Sequence, residues 1–231
     1  MFESVLSTNF DAVSLMKIGR FDESIYLLKL AIAAVQNAGQ QEHREDEGAL
    51  GMVVSVPLEY CDRLSKFTSS TTEVSFSGIC NRAFIFQGSQ SLANMDENAS
   101  LCASVGLYNM ALNMHLKGLT IGGPACLSKA SGLYKRVFTI LRSYALFPID
   151  SVSSLLLATV LNIVACESEL KGYCDDSTQQ WMKVYNDLFA WATTQSDCES
   201  AAILQHPEEI DLFASSSVFF AGQNFCTAAA A

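Results

Sequence analysis

Apolar residues recur every three to four positions along most of this chain, and every second position in one block between residues 52 and 86. A period near 3.6 lines one face of a helix, and a period of two lines one face of a strand. The chain therefore reads as helices interrupted once by strands. Ser7 to Ile18 carries Phe10, Val13 and Leu15 or Met16, offers Ser7, Thr8 and Asn9 as caps, and ends at Gly19. A second helix starts near Asp22, sets Ile25, Leu28, Ile32 and Val35 on one face and closes at Gly39. Residues 39–48 are polar throughout and read as a solvated loop rather than a cation site.

The strand texture follows. Met52 to Tyr60 places Val54, Val56, Leu58 and Tyr60 on one face, with Pro57 marking an edge strand. Glu73 to Ile79 alternates again, and Phe84-Ile85-Phe86 is a third short apolar run. Together they predict a small β-hairpin or sheet inserted at about residues 50–88. Helices resume at Ala99 to Leu119, whose two apolar stripes require contact on two sides. A helix opened by Pro124 runs to about Tyr144. A third pair covers Ser151 to Leu170 and Asp175 to Thr193, with Asp175, Asp176 and Ser177 as caps. Glu208 to Asn224 reads as a last, capping helix. The fold class is mainly α, in one domain over residues 1–231, with helical pairs at about 7–38, 99–144 and 151–193.

Composition excludes several functions. With 14 bases against 24 acids, the net charge is −10, and no Lys/Arg cluster is present to grip phosphates. No nucleic-acid partner is expected. The most apolar run, Val152 to Cys166, spans 15 residues. A membrane span needs about 20, so this run predicts a helix buried on most sides. The N-terminus carries Glu3 and has neither a basic start nor a long apolar core, which points to an intracellular, cytoplasmic protein. The eight cysteines include no C-x-x-C pair, and Cys102 and Cys166 lie within apolar helical runs. They read as free thiols, with no metal site.

Catalytic patterns are missing as well. G-x-S-x-G, H-E-x-x-H, the phosphate-loop signature and G-x-G-x-x-G do not occur. Glu167 and Glu169 are two apart, on different faces of a helix, and make a poor acid–base pair. His115, between Met114 and Leu116, reads as a helix-surface or groove histidine. Neither a catalytic residue nor a cofactor is expected.

The three helical pairs share a pattern. Each first helix has a small residue and a glycine seven positions later: Ala12 and Gly19, Ala111 and Gly118, Ala165 and Gly172. Each second helix pairs a residue with a bulky one four later: Ser24 and Leu28, Ala130 and Tyr134, Trp181 and Tyr185. The pattern resembles the tetratricopeptide repeat (TPR), whose signature runs W-x2-L-G-x2-Y, then A-x3-F. Gly19-Arg20-Phe21-Asp22-Glu23-Ser24-Ile25, followed by Leu28, Ala31 and Ile32, matches it best. The family's leading Trp is replaced by Thr8, Leu107 and Leu161, and the small residues are 99 and 54 positions apart, so the repeats are degenerate.

The resemblance implies antiparallel helical hairpins stacked as a TPR-like α-solenoid, whose first helices line a concave groove. The groove residues would include Asn9, Val13, Tyr108, Asn109, Leu112, His115 and Asn162. Such amides suit the backbone of an extended peptide or a helix of another protein. The expected function is a non-catalytic protein–protein interaction module. The alternative is a structural subunit whose apolar surface is buried in a homo- or hetero-oligomer. The insert is a second candidate to fill the groove.

Overall fold

The computed structural model describes residues 2–38, 50–58, 81–90, 95–121, 123–144, 150–194 and 207–228. Seven helices and two strands are present among them, in the order α1 (Phe2–Lys17), α2 (Phe21–Ala38), β1 (Leu50–Pro57), β2 (Arg82–Gln90), α3 (Met95–Ile121), α4 (Pro124–Tyr144), α5 (Asp150–Lys171), α6 (Asp176–Thr194) and α7 (Pro207–Ala228). The fold is mainly α, as the apolar periods require. The expected strand at Glu73 to Ile79, the loop at 39–48 and the last residues of the tail lie outside the described residues.

Helix ends follow local chemistry. Gly19 has φ 77°. Its amide donates to Met16 O at 3.0 Å and the Arg20 amide reaches Leu15 O at 2.9 Å, which satisfies two orphan carbonyls of α1. Gly172, at φ 85°, ends α5 with its amide on Ser168 O at 2.8 Å. A side chain at either position would meet the left-handed strain that glycine avoids. Gly118 is different, because α3 runs on to Ile121 and this glycine is interior to it. Its role is close approach: a Cβ there would lie 2.8 Å from Leu127 Cδ2 on α4. At the start of α6, Asp175 Oδ1 accepts the amides of Ser177 at 3.0 Å and Thr178 at 3.3 Å.

Each helix packs on the next, from α1 through α7. The odd-numbered helices also touch one another in order: α1 with α3, α3 with α5, α5 with α7. The strands interrupt the chain between α2 and α3, yet those two helices pack directly together. Gly106 of α3 makes that possible, since a Cβ on it would sit 3.0 Å from Ile32 Cγ1. One large core runs through all seven helices and the hairpin, and a smaller cluster of Val5, Ala31, Val35 and Cys102 joins α1, α2 and α3.

The two stripes of α3 are both covered, and Leu101, Val105, Tyr108, Leu112 and Leu116 are all buried. In α5 every residue from Val152 to Val164 is buried. Its Val152–Lys171 segment has mean hydropathy 1.4, and among the described residues it is the one helix long and apolar enough to cross a membrane. The stretch thus exceeds the 15 residues counted to Cys166, and 78 % of its apolar window is buried inside the fold. Phe10, assigned by period to the inner face of α1, points outward instead. The buried face of that helix runs through Val5, Asn9, Ala12, Val13 and Met16.

β1 and β2 pair antiparallel, with Ser55 opposite Phe84, Val54 opposite Ile85 and Val56 opposite Ala83. The first predicted strand therefore pairs with the third apolar run. The Arg82 guanidinium donates from Nε and Nη2 to Ser55 Oγ and ties the two strands through side chains. β2 lies against α1 and α3, and β1 lies against α5. The hairpin thus covers the face shared by α1, α3 and α5.

Two glycines separate close packing from helix propensity. Gly118→Ala is expected to cost roughly 1–3 kcal/mol, because Leu127 has to move. Gly132→Ala, on the exposed side of α4 with no described atom within 4 Å of the new Cβ, is expected to add roughly 0.5–1 kcal/mol. Urea-unfolding midpoints of the two variants should move in opposite directions.

Candidate functional site

The candidate groove residues lie on α1, α3 and α5, and the structure buries every one of them. Asn9 and Val13 are 3 % exposed, while Tyr108, Asn109, Leu112, His115 and Asn162 are at 0 %. Of the two occupants the sequence leaves open, a partner or the insert, it is the insert that lies over them. The occupant is β2, whose extended backbone offers amide and carbonyl groups that no strand among the described residues pairs on that side.

Phe84 sits opposite Ser55, and its amide and carbonyl turn away from β1 toward the helices. Its amide donates to Asn109 Oδ1 at 2.9 Å, and its carbonyl accepts from Asn109 Nδ2 at 2.7 Å and Asn9 Nδ2 at 3.1 Å. The second proton of Asn109 Nδ2 goes to Asn9 Oδ1 at 2.9 Å. The two amides therefore act as one unit, with α1 and α3 closing on the same peptide group. Two residues earlier, the Tyr108 hydroxyl donates to Arg82 O at 3.1 Å. That hydroxyl accepts from Asn162 Nδ2 at 2.9 Å, and Asn162 Nδ2 also donates to Tyr134 Oη at 3.2 Å. One polar chain thus links β2, α3, α5 and α4 inside the core.

The aromatic rings follow the same route. Phe84 meets Tyr108 edge-on at 5.0 Å between centroids, Tyr108 meets Tyr134 at 5.4 Å, and His115 meets Tyr134 at 6.1 Å. Val13 and Leu112 are plain core residues. His115 is not a surface or groove histidine. Burial holds its imidazole neutral, with the pKa down at about 4. The Cys102 thiol is likewise pushed up to about 12 by burial, which leaves it a packing residue rather than a nucleophile.

Glu167 was set aside in the sequence because its spacing from Glu169 suits no catalysis. The structure gives it a different task. Its carboxylate is 3 % exposed and accepts from Ser131 Oγ, Lys135 Nζ and Lys171 Nζ, each at 2.6 Å. Burial alone raises its pKa, but the two ammoniums and the hydroxyl outweigh that and hold it at about 2. It joins α4 to α5, and Ser177 Oγ at 3.4 Å extends the link to α6. The Lys135 ammonium also stands 6.0 Å from the Trp181 ring centre, and Trp181 packs on Phe138. The available sequence signal was Lys171 one helical turn from Glu167; the Ser131 and Lys135 contacts are long-range.

Chemically, Asn9, Tyr108 and Asn109 satisfy the β2 backbone at Arg82 and Phe84. Among the described residues no group of three His, Cys, Asp or Glu side chains is placed to hold a metal ion. An open cleft on α4, of about 370 Å³, is lined by Phe138, Thr139, Arg142 and Ser143 and lies outside the asparagine network.

Asn109→Asp keeps the acceptor for the Phe84 amide but turns an oxygen toward Phe84 O and Asn9 Oδ1. It is expected to lose roughly 2–4 kcal/mol at neutral pH by chemical denaturation. His115 predicts a pH dependence. The unfolded chain binds this proton near pH 6.5 and the folded chain only near 4, so its contribution is whole above 6.5 and is lost as pH falls from 6.5 toward 4. Stability at pH 5 should sit roughly 2 kcal/mol below that at pH 7 from this group, and His115→Leu should remove that part of the slope.

No protein-family model, curated protein or solved structure matches the chain.

Proposed function

We propose that this chain is a non-catalytic protein–protein interaction module, built as a degenerate TPR-like stack of helical hairpins, whose inner face takes an extended peptide or a helix of a partner. The observation that carries this reading is the set of Asn9, Tyr108 and Asn109. These side chains satisfy the main-chain groups of an extended segment at Arg82 and Phe84. Main-chain recognition is largely independent of the bound side chains, and extended peptides are held in this way by many receptors. The order of contacts, each helix with the next and odd helices with odd, supports a repeat-like stack. An intracellular, cytoplasmic location belongs to the same reading, supported by Cys102 and Cys166 as buried free thiols.

A second reading, a structural subunit, has its own observation. The first helical pair leaves Phe10 54 %, Ile18 64 %, Tyr26 63 % and Leu30 48 % exposed. A terminal pair in a stack usually turns a polar face outward. Four large apolar side chains on one pair suit permanent burial against another subunit better.

Sedimentation of the purified full chain separates the two. A monomer at ~10 μM supports the interaction module. An oligomer that persists on dilution, and that Tyr26→Glu/Leu30→Glu dissociates with helicity kept, supports the structural subunit and overturns the first reading.

A further inference from the structure

The helices form a continuous row without help from the hairpin. α2 packs on α3 directly, although the chain leaves between them to build β1 and β2. The hairpin is a lining of the inner face rather than a link in the row. Of β2, Ala83 at 0 % and Phe84 at 1 % exposed are fully enclosed, whereas Arg82, Ile85 and Phe86 are half-buried and Gln87 is exposed. The Ala83 methyl is fully enclosed, and Phe84 sets its ring edge-on to Tyr108 at 5.0 Å. Ile85 and Phe86 pack against the core from partly buried positions, and the hydrogen bonds from the helices go to the backbone: Tyr108 to Arg82 O, and Asn109 and Asn9 to Phe84.

We infer that β2 is the internal occupant of a peptide site, and that the site takes from a partner protein an extended segment carrying a small residue followed by an aromatic one. The inference rests on the interaction-module reading and names its ligand class. Ala83-Phe84 is the chain's own copy of that ligand. Its attachment gives it an effective concentration of about a millimolar, so a segment in trans gains the face only when the hairpin has swung off. The hairpin is then autoinhibitory, and whatever holds it away opens the site.

The test uses the full chain and a labelled peptide of residues 81–87, Asn-Arg-Ala-Phe-Ile-Phe-Gln. Phe84→Ala weakens the internal copy and leaves the Tyr108 face without its ring. The peptide is expected to bind this variant at least about tenfold more tightly than it binds the wild type, by fluorescence anisotropy. The same peptide with Phe84→Ala should bind neither. A folded variant that ignores the peptide, or binds both peptides alike, overturns the inference.

Hydrogen exchange on the unaltered protein gives a readout that does not depend on the variant folding. The Phe84 amide should show protection at least about tenfold below that of the α3 and α5 interiors, and excess peptide should lower it further. Equal protection would mean that the hairpin opens only on global unfolding, and would also overturn it. Neither result touches the module-or-subunit question, which the sedimentation experiment reads separately.

Discussion

The peptide group of Phe84 is the point on which the arrangement of this molecule turns. Its amide and carbonyl face away from the partner strand and are buried. Left without partners there, two backbone groups would cost about 1–3 kcal/mol each. Asn109 answers both, and Asn9 adds a second donor to the carbonyl while accepting from Asn109. One α1 side chain, one α3 side chain and one β2 backbone unit must therefore be in place together. The same contacts cover the outer edge of β2 with helices, which removes a template for unwanted strand pairing.

Around that point the inner face is unusually polar for a core. Tyr108, Asn162 and Tyr134 run from the Arg82 carbonyl across α3 and α5 to α4. Buried networks of this kind specify geometry, because their hydrogen bonds form together only in one arrangement. Glu167 performs a similar task farther along the row, where it fastens α4 and α5 with two lysines and reaches α6 through Ser177. Tyr185 continues the theme by donating to Phe213 O at 2.9 Å, from α6 to α7. The apolar core supplies most of the driving force, and these polar clasps fix register along the row.

The chemistry of the inner face and its accessibility point to different conclusions about function. The amides form a reader of extended backbone, which favours an interaction module. Yet the chain supplies the strand that they read. Uncovered apolar side chains lie elsewhere: Phe10, Ile18, Tyr26 and Leu30 on the first helical pair, and Leu119, Trp191, Ile210 and Val218 on later helices. The backbone-binding amides are thus covered by an intramolecular strand, while these apolar side chains have no described part of the chain over them.

Helix positions were legible in the sequence because they depend on neighbours three and four residues away. Gly19, Gly172 and Asp175 could be read as helix ends and a cap for the same reason. The groove amides Asn9, Asn109 and Asn162 were also legible as a set suited to an extended backbone. What they bind was not, since Asn9 and Asn109 are 100 positions apart and Phe84 is 25 from Asn109. Local periodicity carries no information about such pairings. Gly118 shows the same limit: its spacing matches a helix end, but contact with Leu127 makes it an interior packing glycine. Phe10 turned outward against its expected role, and Glu167 gained buried partners that its sequence neighbours do not show, because burial is decided by the elements that arrive from afar. The sequence by itself determined the helices, the two strand runs that pair as β1 and β2, and the acidic net charge, all set by local pattern and composition. Only the tertiary structure decided that the hairpin fills the face of α1, α3 and α5, because that outcome depends on which distant groups can satisfy one buried peptide unit.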